Sequence, residues 1–179
     1  MKKYAILILI GLVGLVGVLW WKKTSAPETG STDYKTATYV IEGQRIALGS
    51  EGTKYFGNEV RHDLNDDGRE DVAFLLTREP GGSGTFFYAV VALNTLTGYV
   101  GSEAFFLGDR IAPQPITIDE GLTSRGTYRQ NVIVVNYADR LPGEPFTARP
   151  SMGKSVWLKL NPETMQFGEV VQNFEGESR

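Results

Sequence analysis

Apolar residues in this chain follow two patterns: one uninterrupted run near the N-terminus, and many short runs after it. The first run covers residues 4–21, which contain no charged side chain. The later runs are rich in β-branched and aromatic residues, and glycine, asparagine, aspartate or proline separates them. The chain therefore divides into an N-terminal apolar segment and a body built from β-strands.

The body is predicted to be all-β, because no helical stripe of apolar residues is evident after residue 34. Residues 72–76, 86–93 and 132–135 are continuously apolar, as expected for central strands buried on both faces. We predict a single domain with an antiparallel sheet, sandwich-like or curled, and an α+β domain is the alternative. The predicted strands are 37–42, 45–48, 54–60, 71–77, 85–93, 99–107, 116–118, 131–137, 155–160 and 166–171.

The N-terminal apolar segment is predicted to be a transmembrane helix that acts as a signal anchor. As a helix it would span about 27 Å, which just crosses the hydrocarbon core of a bilayer. Trp20, Trp21, Lys22 and Lys23 follow it, and these residue types are favoured at a membrane interface. A cleaved secretory signal is an alternative, but proline follows its nearest small-residue site, at 24–26, and disfavours cleavage. A buried helix of a soluble protein is the third interpretation.

The anchor is flanked by lysines on both sides, so the positive-inside rule barely orients it. The very short head and the large body favour a body outside the cytoplasm. The segment after the anchor is small, polar and contains proline and glycine, which predicts a flexible tether. We assign residues 1–23 to the membrane anchor, 24–33 to the linker, 34–174 to the β domain and 175–179 to a frayed tail.

Charge and cysteine content restrict the partners and the chemistry. The formal charge is −3, but four lysines lie among the first 23 residues, so the rest of the chain carries 14 basic against 21 acidic residues. Nucleic acid and anionic lipid surfaces require a basic footprint, so neither is expected as the main partner of the body. The chain has no cysteine, which excludes disulfides, zinc–thiolate sites and thiol catalysis.

The clearest chemical signal is a run of oxygen-bearing residues at 63–71, with ligand candidates at alternate positions. Alternate positions of a tight loop turn inward, and calcium takes six to eight oxygen ligands. Place twelve is Phe74 rather than glutamate, so this segment is not an EF-hand. The predicted calcium ligands are the side chains of Asp63, Asn65, Asp67 and Asp71 and the backbone carbonyl of Arg69.

A metal-free turn is the alternative interpretation of the same segment. An Asn-Asp-Asp-Gly sequence is typical of turns without any ion. The clustered carboxylates repel one another, and without a cation this cost would fall only if Arg61 and Arg69 folded back over them.

The pattern Asp-x-Asn-x-Asp-Gly-x-x-Asp before an apolar strand resembles the calcium loops of FG-GAP and related repeats of bacterial surface proteins. In that family the loop precedes a strand and the domains commonly mediate adhesion or ligand binding. This chain differs in having Asp66 where glycine is common, and in having one copy where a propeller would need several. The resemblance therefore implies the loop and not a propeller fold. Residues 107–113 and 136–140 also resemble stretches of membrane-anchored or secreted bacterial envelope proteins without an assigned activity.

Two Asp-Arg pairs are candidates for ligand binding. Each pair follows a predicted strand and precedes a loop that contains proline. Loops on a rigid sheet often carry binding groups, although such pairs can equally tie a loop to the sheet. Residues 142–150 form a stiff excursion with an aromatic tip. The candidate ligand-binding residues are Asp109, Arg110, Tyr137, Asp139, Arg140 and Phe146.

Other familiar catalytic patterns fit poorly. The glycine-rich residues 80–84 are not followed by Lys-Ser or Lys-Thr, so they predict a hairpin loop and not a phosphate site. His62 is the only histidine, and we expect it at a strand edge or beside the metal rather than in a catalytic triad. Glu103, Asp119 and Glu120 leave a hydrolase with paired carboxylates open.

These patterns predict a membrane-anchored domain whose body lies outside the cytoplasm and holds one structural calcium ion. Its expected function is non-enzymatic: binding of an envelope protein or glycan, or support of the envelope. An envelope hydrolase that uses acidic residues is the alternative.

Overall fold

The computed structural model describes residues 30–122, 126 and 128–170. Within them the chain forms strands, and the only helical element is a 3-10 turn at Tyr34–Thr36. Neighbouring strands of every sheet run antiparallel, which confirms the predicted all-β class. The strands are β1 (Thr38–Ile41), β2 (Gln44–Ala47), β3 (Thr53–His62), β4 (Asp71–Arg78), β5 (Phe86–Thr95), β6 (Gly98–Gly101), β7 (Phe105–Asp109), β8 (Ala112–Leu122), β9 (Tyr128–Asp139), β10 (Met152–Asn161) and β11 (Gln166–Glu169).

The first sheet has the strand order β3-β4-β5-β6, and β7 pairs with the other half of β5 beside β6. Its central strands explain the continuous apolar runs. All five residues of 72–76 in β4 are fully buried, because another layer packs on each face of the sheet. The prediction that these runs form the centre of the domain is confirmed.

The second sheet has the order β11-β10-β9-β8 and packs on one face of the first. Side chains alternate between the two faces of a strand, so Ala73 and Leu75 of β4 point into this interface and meet Ile133 and Val135 of β9. Each fully buried aliphatic side chain of this size contributes about 1.5–3 kcal/mol through removal of apolar surface from water. The main core therefore lies between the two sheets.

The opposite face of the first sheet is covered by the β1–β2 hairpin and the 3-10 turn. Tyr34 and Tyr39 each pack edge-on against Phe74, with ring centroids 5.6 Å apart in both pairs. This second core is separate from the first and gives the domain three layers. The two packed sheets agree with the sandwich-like form of the prediction, and the two-stranded hairpin is an additional layer that the sequence does not predict.

Two carboxylates fasten this outer layer to the sheet. Glu59 accepts hydrogen bonds from the hydroxyls of Tyr34 and Tyr55, each at 2.7 Å. Glu42, at the hairpin turn, accepts from Tyr88 and from the guanidinium of Arg78, each at 2.9 Å. Donation to Glu59 lowers the pKa of that carboxyl, since both hydrogen bonds favour its charged form.

The prediction of one strand over 99–107 is wrong. Ser102 still donates to the Val91 carbonyl of β5 at 2.8 Å, but residues 102–104 also pair with β1, through Val40 N–H to the Ser102 carbonyl at 3.1 Å and Ala104 N–H to the Val40 carbonyl at 2.7 Å. At Gly101 an added Cβ would lie 2.3 Å from the Thr38 carbonyl oxygen, so the close approach of the two chains requires glycine there. The strand therefore breaks into β6 and β7.

Strand β8 is much longer than the predicted 116–118. Pro113 and Pro115 interrupt its apolar pattern and conceal it in the sequence. The strand lies at the edge of the second sheet, which is where proline is tolerated in sheets, because only one side of the strand is paired. Its register with β9 shifts between Pro113 and Ile116. It also contacts the first sheet, since Asn58 of β3 donates to the Gln114 carbonyl at 2.9 Å.

The predicted anchor and residues 24–29 of the predicted linker lie outside the described residues, as does the tail 175–179. The described part of the linker contacts the domain: Ser31 and Tyr99 exchange two backbone hydrogen bonds of 2.9 and 2.7 Å. Gly30 packs closely on Gly98, because an added Cβ at Gly30 would lie 2.4 Å from the Gly98 carbonyl carbon. In the part of the chain that is described, no helix has both the length and the apolar character to cross a membrane.

Candidate functional site

The acidic loop, residues 63–70, connects β3 to β4 and lies at the end of the domain where β8 and β9 also meet. Gln130 of β9 donates to the carboxylate of Asp66 at 2.7 Å. His62 lies 2.7 Å from the carboxylate of Glu120 on β8, so the expectation of a strand-edge histidine is confirmed. These two contacts join the loop of the first sheet to the second sheet.

The loop closes on itself through its own carboxylates. Asp63 accepts hydrogen bonds from the backbone N–H groups of Asp67 at 3.1 Å and of Gly68 at 2.7 Å. Burial disfavours the charged form of Asp63, but backbone donors led by Gly68 outweigh it, and the pKa of Asp63 falls below its usual value. Asp66 and Gly68 have positive φ angles, of 61° and 83°, which the tight turn requires. The predicted ligands Asp63, Asn65 and Asp67 are thus brought together, since Asn65 also donates to Asp67 at 2.9 Å.

Asp71 is placed differently from the other predicted ligands. It is fully buried, and its two carboxylate oxygens accept from the backbone N–H groups of Leu64 at 2.9 Å and Asn94 at 2.8 Å. Burial raises the pKa of Asp71, the nearby carboxylates of Asp67 and Asp63 raise it further, and the two N–H donors oppose the rise. Asp71 therefore ties the acidic loop and β4 to the end of β5.

Arg69 folds back over the loop, as the metal-free alternative expects. Its guanidinium pairs with Asp67 and donates to the Asn94 carbonyl at 2.6 Å. Arg61 does not contact the loop carboxylates and instead approaches Glu59 and Tyr34. Among the described residues no three histidine or acidic side chains form a group that could hold a metal ion. The calcium site therefore stays a prediction.

The two Asp-Arg pairs meet at the opposite end of the domain. Asp109 ends β7 and Asp139 ends β9, as the sequence predicts. From the second loop, Arg140 donates to the carbonyls of Asp109 at 3.4 Å and Arg110 at 3.0 Å. It also donates to the Ala148 carbonyl at 2.8 Å, so one guanidinium joins residues 109–110 to the backbone at residue 148.

Phe146 packs against both arginines. The guanidinium carbon of Arg110 lies 4.3 Å from the ring centroid, and that of Arg140 lies 5.8 Å away. Phe146 is nevertheless 61% exposed, and Leu141 beside it is 50% exposed. We call the surface formed by Asp109, Arg110, Arg140, Leu141 and Phe146 the joined loop surface.

The acidic members of this region are paired. Asp109 binds Arg110 through its Nε and Nη2 atoms and accepts from the Thr85 N–H at 2.9 Å. Hydrogen bonds from Arg110 hold the pKa of Asp109 below its usual value. Asp139 binds Lys154 at 2.7 Å, and this contact lowers the pKa of Asp139 in the same way.

Tyr137 does not join this surface. It is 7% exposed and packs in the core between the two sheets, where burial raises the pKa of its hydroxyl. Thr85 and Lys154 contribute instead. The sequence predicts that both lie in or beside strands. It does not predict their contacts, because Asp109 is 24 residues from Thr85 and Asp139 is 15 residues from Lys154, and only the strand register brings each pair together.

The acids considered for hydrolysis do not converge. Asp119 pairs with Arg129, whereas Glu103 contacts Gln166 on β11. Strands β8 and β11 are at opposite edges of the second sheet, three strand spacings or about 14 Å apart. Paired catalytic carboxylates of glycosidases lie only about 5–9.5 Å apart.

Two recesses in the described part of the chain can be compared with the positions of these acids. One, of about 340 Å³, is lined by residues that include Thr36, Arg45 and Tyr99. Another, of about 570 Å³, lies over the turn between β10 and β11. Glu103, Asp119 and Glu120 line neither of them.

Comparisons of the chain with protein-family models, with curated proteins and with solved structures give no match. The resemblance of the acidic loop to FG-GAP repeats therefore stays a prediction.

Proposed function

We propose that this chain is a membrane-tethered binding module whose body lies outside the cytoplasm and presents the joined loop surface to a partner in the cell envelope. One observation carries the proposal: two distant Asp-Arg loops and an exposed phenylalanine are held together by Arg140. A set of loops fixed in this way loses little conformational freedom on binding, which favours affinity.

The position of this surface also supports binding. Strand β5 begins opposite Asp109, at the joined loop surface, and ends opposite Gly98, against which Gly30 packs. Its ten residues span about 33 Å at about 3.3 Å per residue. A tether that joins the domain at residue 30 would leave the joined loop surface pointing away from the membrane.

Binding is favoured over the hydrolase because the candidate acids are spread over both edges of the second sheet. An enzyme of that kind needs two carboxylates around one bond and a recess that holds the substrate. Asp119, Glu120 and Glu103 are instead each engaged with a different basic or amide side chain.

The acidic loop is proposed to hold a calcium ion that stabilises the domain. Asp63, Asn65 and Asp67 lie in one closed turn, which is the donor set a hard cation prefers, with the Arg69 carbonyl beside them. Asp71 would support this turn from inside the domain; each of its oxygens accepts one N–H and keeps a second lone pair. The loop lies at the opposite end from the joined loop surface, so the ion would act through stability rather than by touching the partner.

Site-specific photocrosslinking in intact cells tests the binding module. We would replace Phe146 by p-benzoylphenylalanine in the full chain, irradiate, and identify adducts by mass spectrometry. We expect a discrete adduct with an envelope component, because residue 146 is exposed at the centre of the joined loop surface.

The matched control places the same crosslinker at Tyr128, which is 63% exposed at the opposite end of the domain. This position should give no such adduct. Identical adduct patterns at both positions, or no adduct at position 146 when the full chain is present and folded, would refute the proposed function.

A further inference from the structure

The joined loop surface has unused cationic donors. Arg110 uses Nε and Nη2 for Asp109, and Arg140 uses Nε and Nη1 for backbone carbonyls. A guanidinium has five N–H donors in a fixed plane. Within residues 30–122, 126 and 128–170, no hydrogen bond occupies Nη1 of Arg110 or Nη2 of Arg140.

The carboxylates that could neutralise these donors are already engaged. Asp139 is held by Lys154 and by the Arg140 N–H, and Glu144 accepts from the Leu141 N–H at 2.8 Å. The groups that remain available to a partner are therefore one guanidinium edge on each arginine and two exposed apolar side chains, Phe146 and Leu141.

From this chemistry we propose that the joined loop surface binds an acidic segment of a partner protein. The segment's carboxylate accepts from the free edges of Arg110 and Arg140, and an apolar residue next to it packs on Phe146 and Leu141. This inference rests on the proposed function, and it specifies the partner's class. Three acids at this end, Asp109, Asp139 and Glu144, balance three bases, Arg110, Arg140 and Lys154, so the attraction comes from the unoccupied guanidinium edges and not from net charge.

The Arg140 side chain is preorganised for this contact in the unbound protein. Its three hydrogen bonds to carbonyls fix the guanidinium plane of this partly exposed side chain, so Nη2 can bind a partner without much further loss of side-chain freedom. Arg110 is fixed in the same way by its pair with Asp109 and by the Phe146 ring. A carboxylate binds such fixed forks in a bidentate geometry and with charge-assisted hydrogen bonds.

A protein partner is favoured over a glycan. Sugar rings stack on aromatic faces, and the Arg110 guanidinium already lies over one face of the Phe146 ring at 4.3 Å. Aromatic and arginine side chains together, with an exposed leucine at their side, have the composition of energetically dominant residues in protein–protein interfaces.

Selection from a random peptide library tests this inference with a defined probe. The full chain in lipid nanodiscs is used to select 12-residue peptides, and the affinities of enriched peptides are measured by fluorescence anisotropy. We expect peptides that combine aspartate or glutamate with an apolar residue, and binding that weakens as salt rises. Phe146→Ala and Arg110→Gln should each weaken binding about tenfold or more, as expected for the loss of a main interface contact.

Matched controls lie at the opposite end of the domain. Tyr128→Ala removes an equally exposed ring and Lys159→Gln removes an exposed charge, and both should leave peptide affinity within about twofold of the wild type, as surface changes outside the interface do. Thermal melting checks the folding of every variant. If Arg110→Gln fails to fold, Phe146→Ala still tests the inference, because Phe146 is 61% exposed and its removal costs the fold little buried apolar surface.

Neutral or basic peptides, or acidic peptides that bind Phe146→Ala unchanged, would overturn the inference. Uronate glycans on an array that bind the wild type and not Phe146→Ala would also overturn it and assign the surface to a glycan. If no peptide is enriched while position 146 still crosslinks to an envelope component, the acidic-segment inference fails and the binding module stands. If no peptide is enriched and position 146 gives no crosslink, both the acidic-segment inference and the binding module are refuted.

Discussion

Asp109 is the residue on which the joined loop surface depends most directly. Its carboxylate binds the guanidinium of Arg110 and the N–H of Thr85, so it connects the end of β7 to the loop before β5. The Arg110 hydrogen bonds lower the pKa of Asp109 below that of the unfolded chain. A lowered carboxyl pKa stabilises the folded state above the unfolded pKa, and this contribution is lost as pH falls through the folded pKa.

We therefore expect Asp109→Asn to reduce the free energy of unfolding by about 1 kcal/mol at pH 7, since the amide keeps the Thr85 contact and loses the charged pair. The difference from the wild type should be smaller at pH 2 than at pH 7, because the contribution of the charged pair is lost as pH falls towards the lowered pKa of Asp109. Urea unfolding at both pH values measures it.

Asp66→Asn is the control, because its side-chain oxygen can still accept from Gln130 on the surface. Its free energy of unfolding should stay within about 0.5 kcal/mol of the wild type. An Asp109→Asn deficit of equal size at pH 7 and pH 2 would show that the Arg110 pair does not stabilise the fold.

Single residues also show what the sequence could and could not predict. Asp109, Arg110, Arg140 and Phe146 were predicted as binding candidates because they follow strands or lie in a stiff loop, and the structure brings them together. Tyr137 was grouped with them by its position near Arg140. Strand periodicity places it on the face of Ile133 and Val135, which is the core.

At the level of elements, the strands that are buried on both faces were predictable from the sequence. Residues 72–76 of β4 and 86–93 of β5 are continuously apolar because both faces of these strands are buried. The break between β6 and β7 was not predictable, since it arises from backbone pairing of residues 102–104 with β1, about 60 residues earlier in the chain. The third layer was also not predictable, because it depends on contacts between segments far apart in the chain. A local sequence pattern does not determine which face of a sheet a hairpin covers.

The acidic loop is the element for which a metal can be tested. We expect calcium to raise the melting temperature of the wild type. At a calcium concentration 100-fold above the dissociation constant, the stabilisation is about 2.7 kcal/mol, which corresponds to several degrees for a domain of this size. Calorimetry with and without a chelator measures the shift.

Two Asp→Asn variants of the same loop distinguish the loss of a calcium ligand from the loss of one negative charge. Asp63→Asn should abolish the calcium-dependent shift, because this carboxylate is at place one of the predicted ligand set. Asp66→Asn should retain the shift, because Asp66 is engaged with Gln130 on the second sheet. A melting temperature that calcium leaves unchanged in the wild type would support the metal-free turn, with Arg69 as the counter-ion of Asp67.

For the molecule as a whole, the predicted topology can be tested by thiol labelling. The chain has no cysteine, so Leu96→Cys, at a position that is 91% exposed, supplies the only thiol. A membrane-impermeant maleimide should label this variant in intact cells, because the body is proposed to lie outside the cytoplasm.

Lys3→Cys, on the predicted cytoplasmic head, is the corresponding control and should react only after lysis. Labelling of Lys3→Cys but not of Leu96→Cys in intact cells would place the body inside. Release of a Leu96→Cys body that lacks the N-terminal segment would instead favour the cleaved signal.

The pairing of Ser31 with Tyr99 has a mechanical consequence. If a partner holds one end of β5 and the tether pulls at residue 30, tension passes along the length of the domain, and the two hydrogen bonds between Ser31 and Tyr99 are the first to carry the load. Behind them the 3-10 turn and β1 are fastened by Glu59 and Glu42, so force would peel the outer layer before it reached the sheet beneath. Such a layer would yield first under traction and protect the rest of the fold.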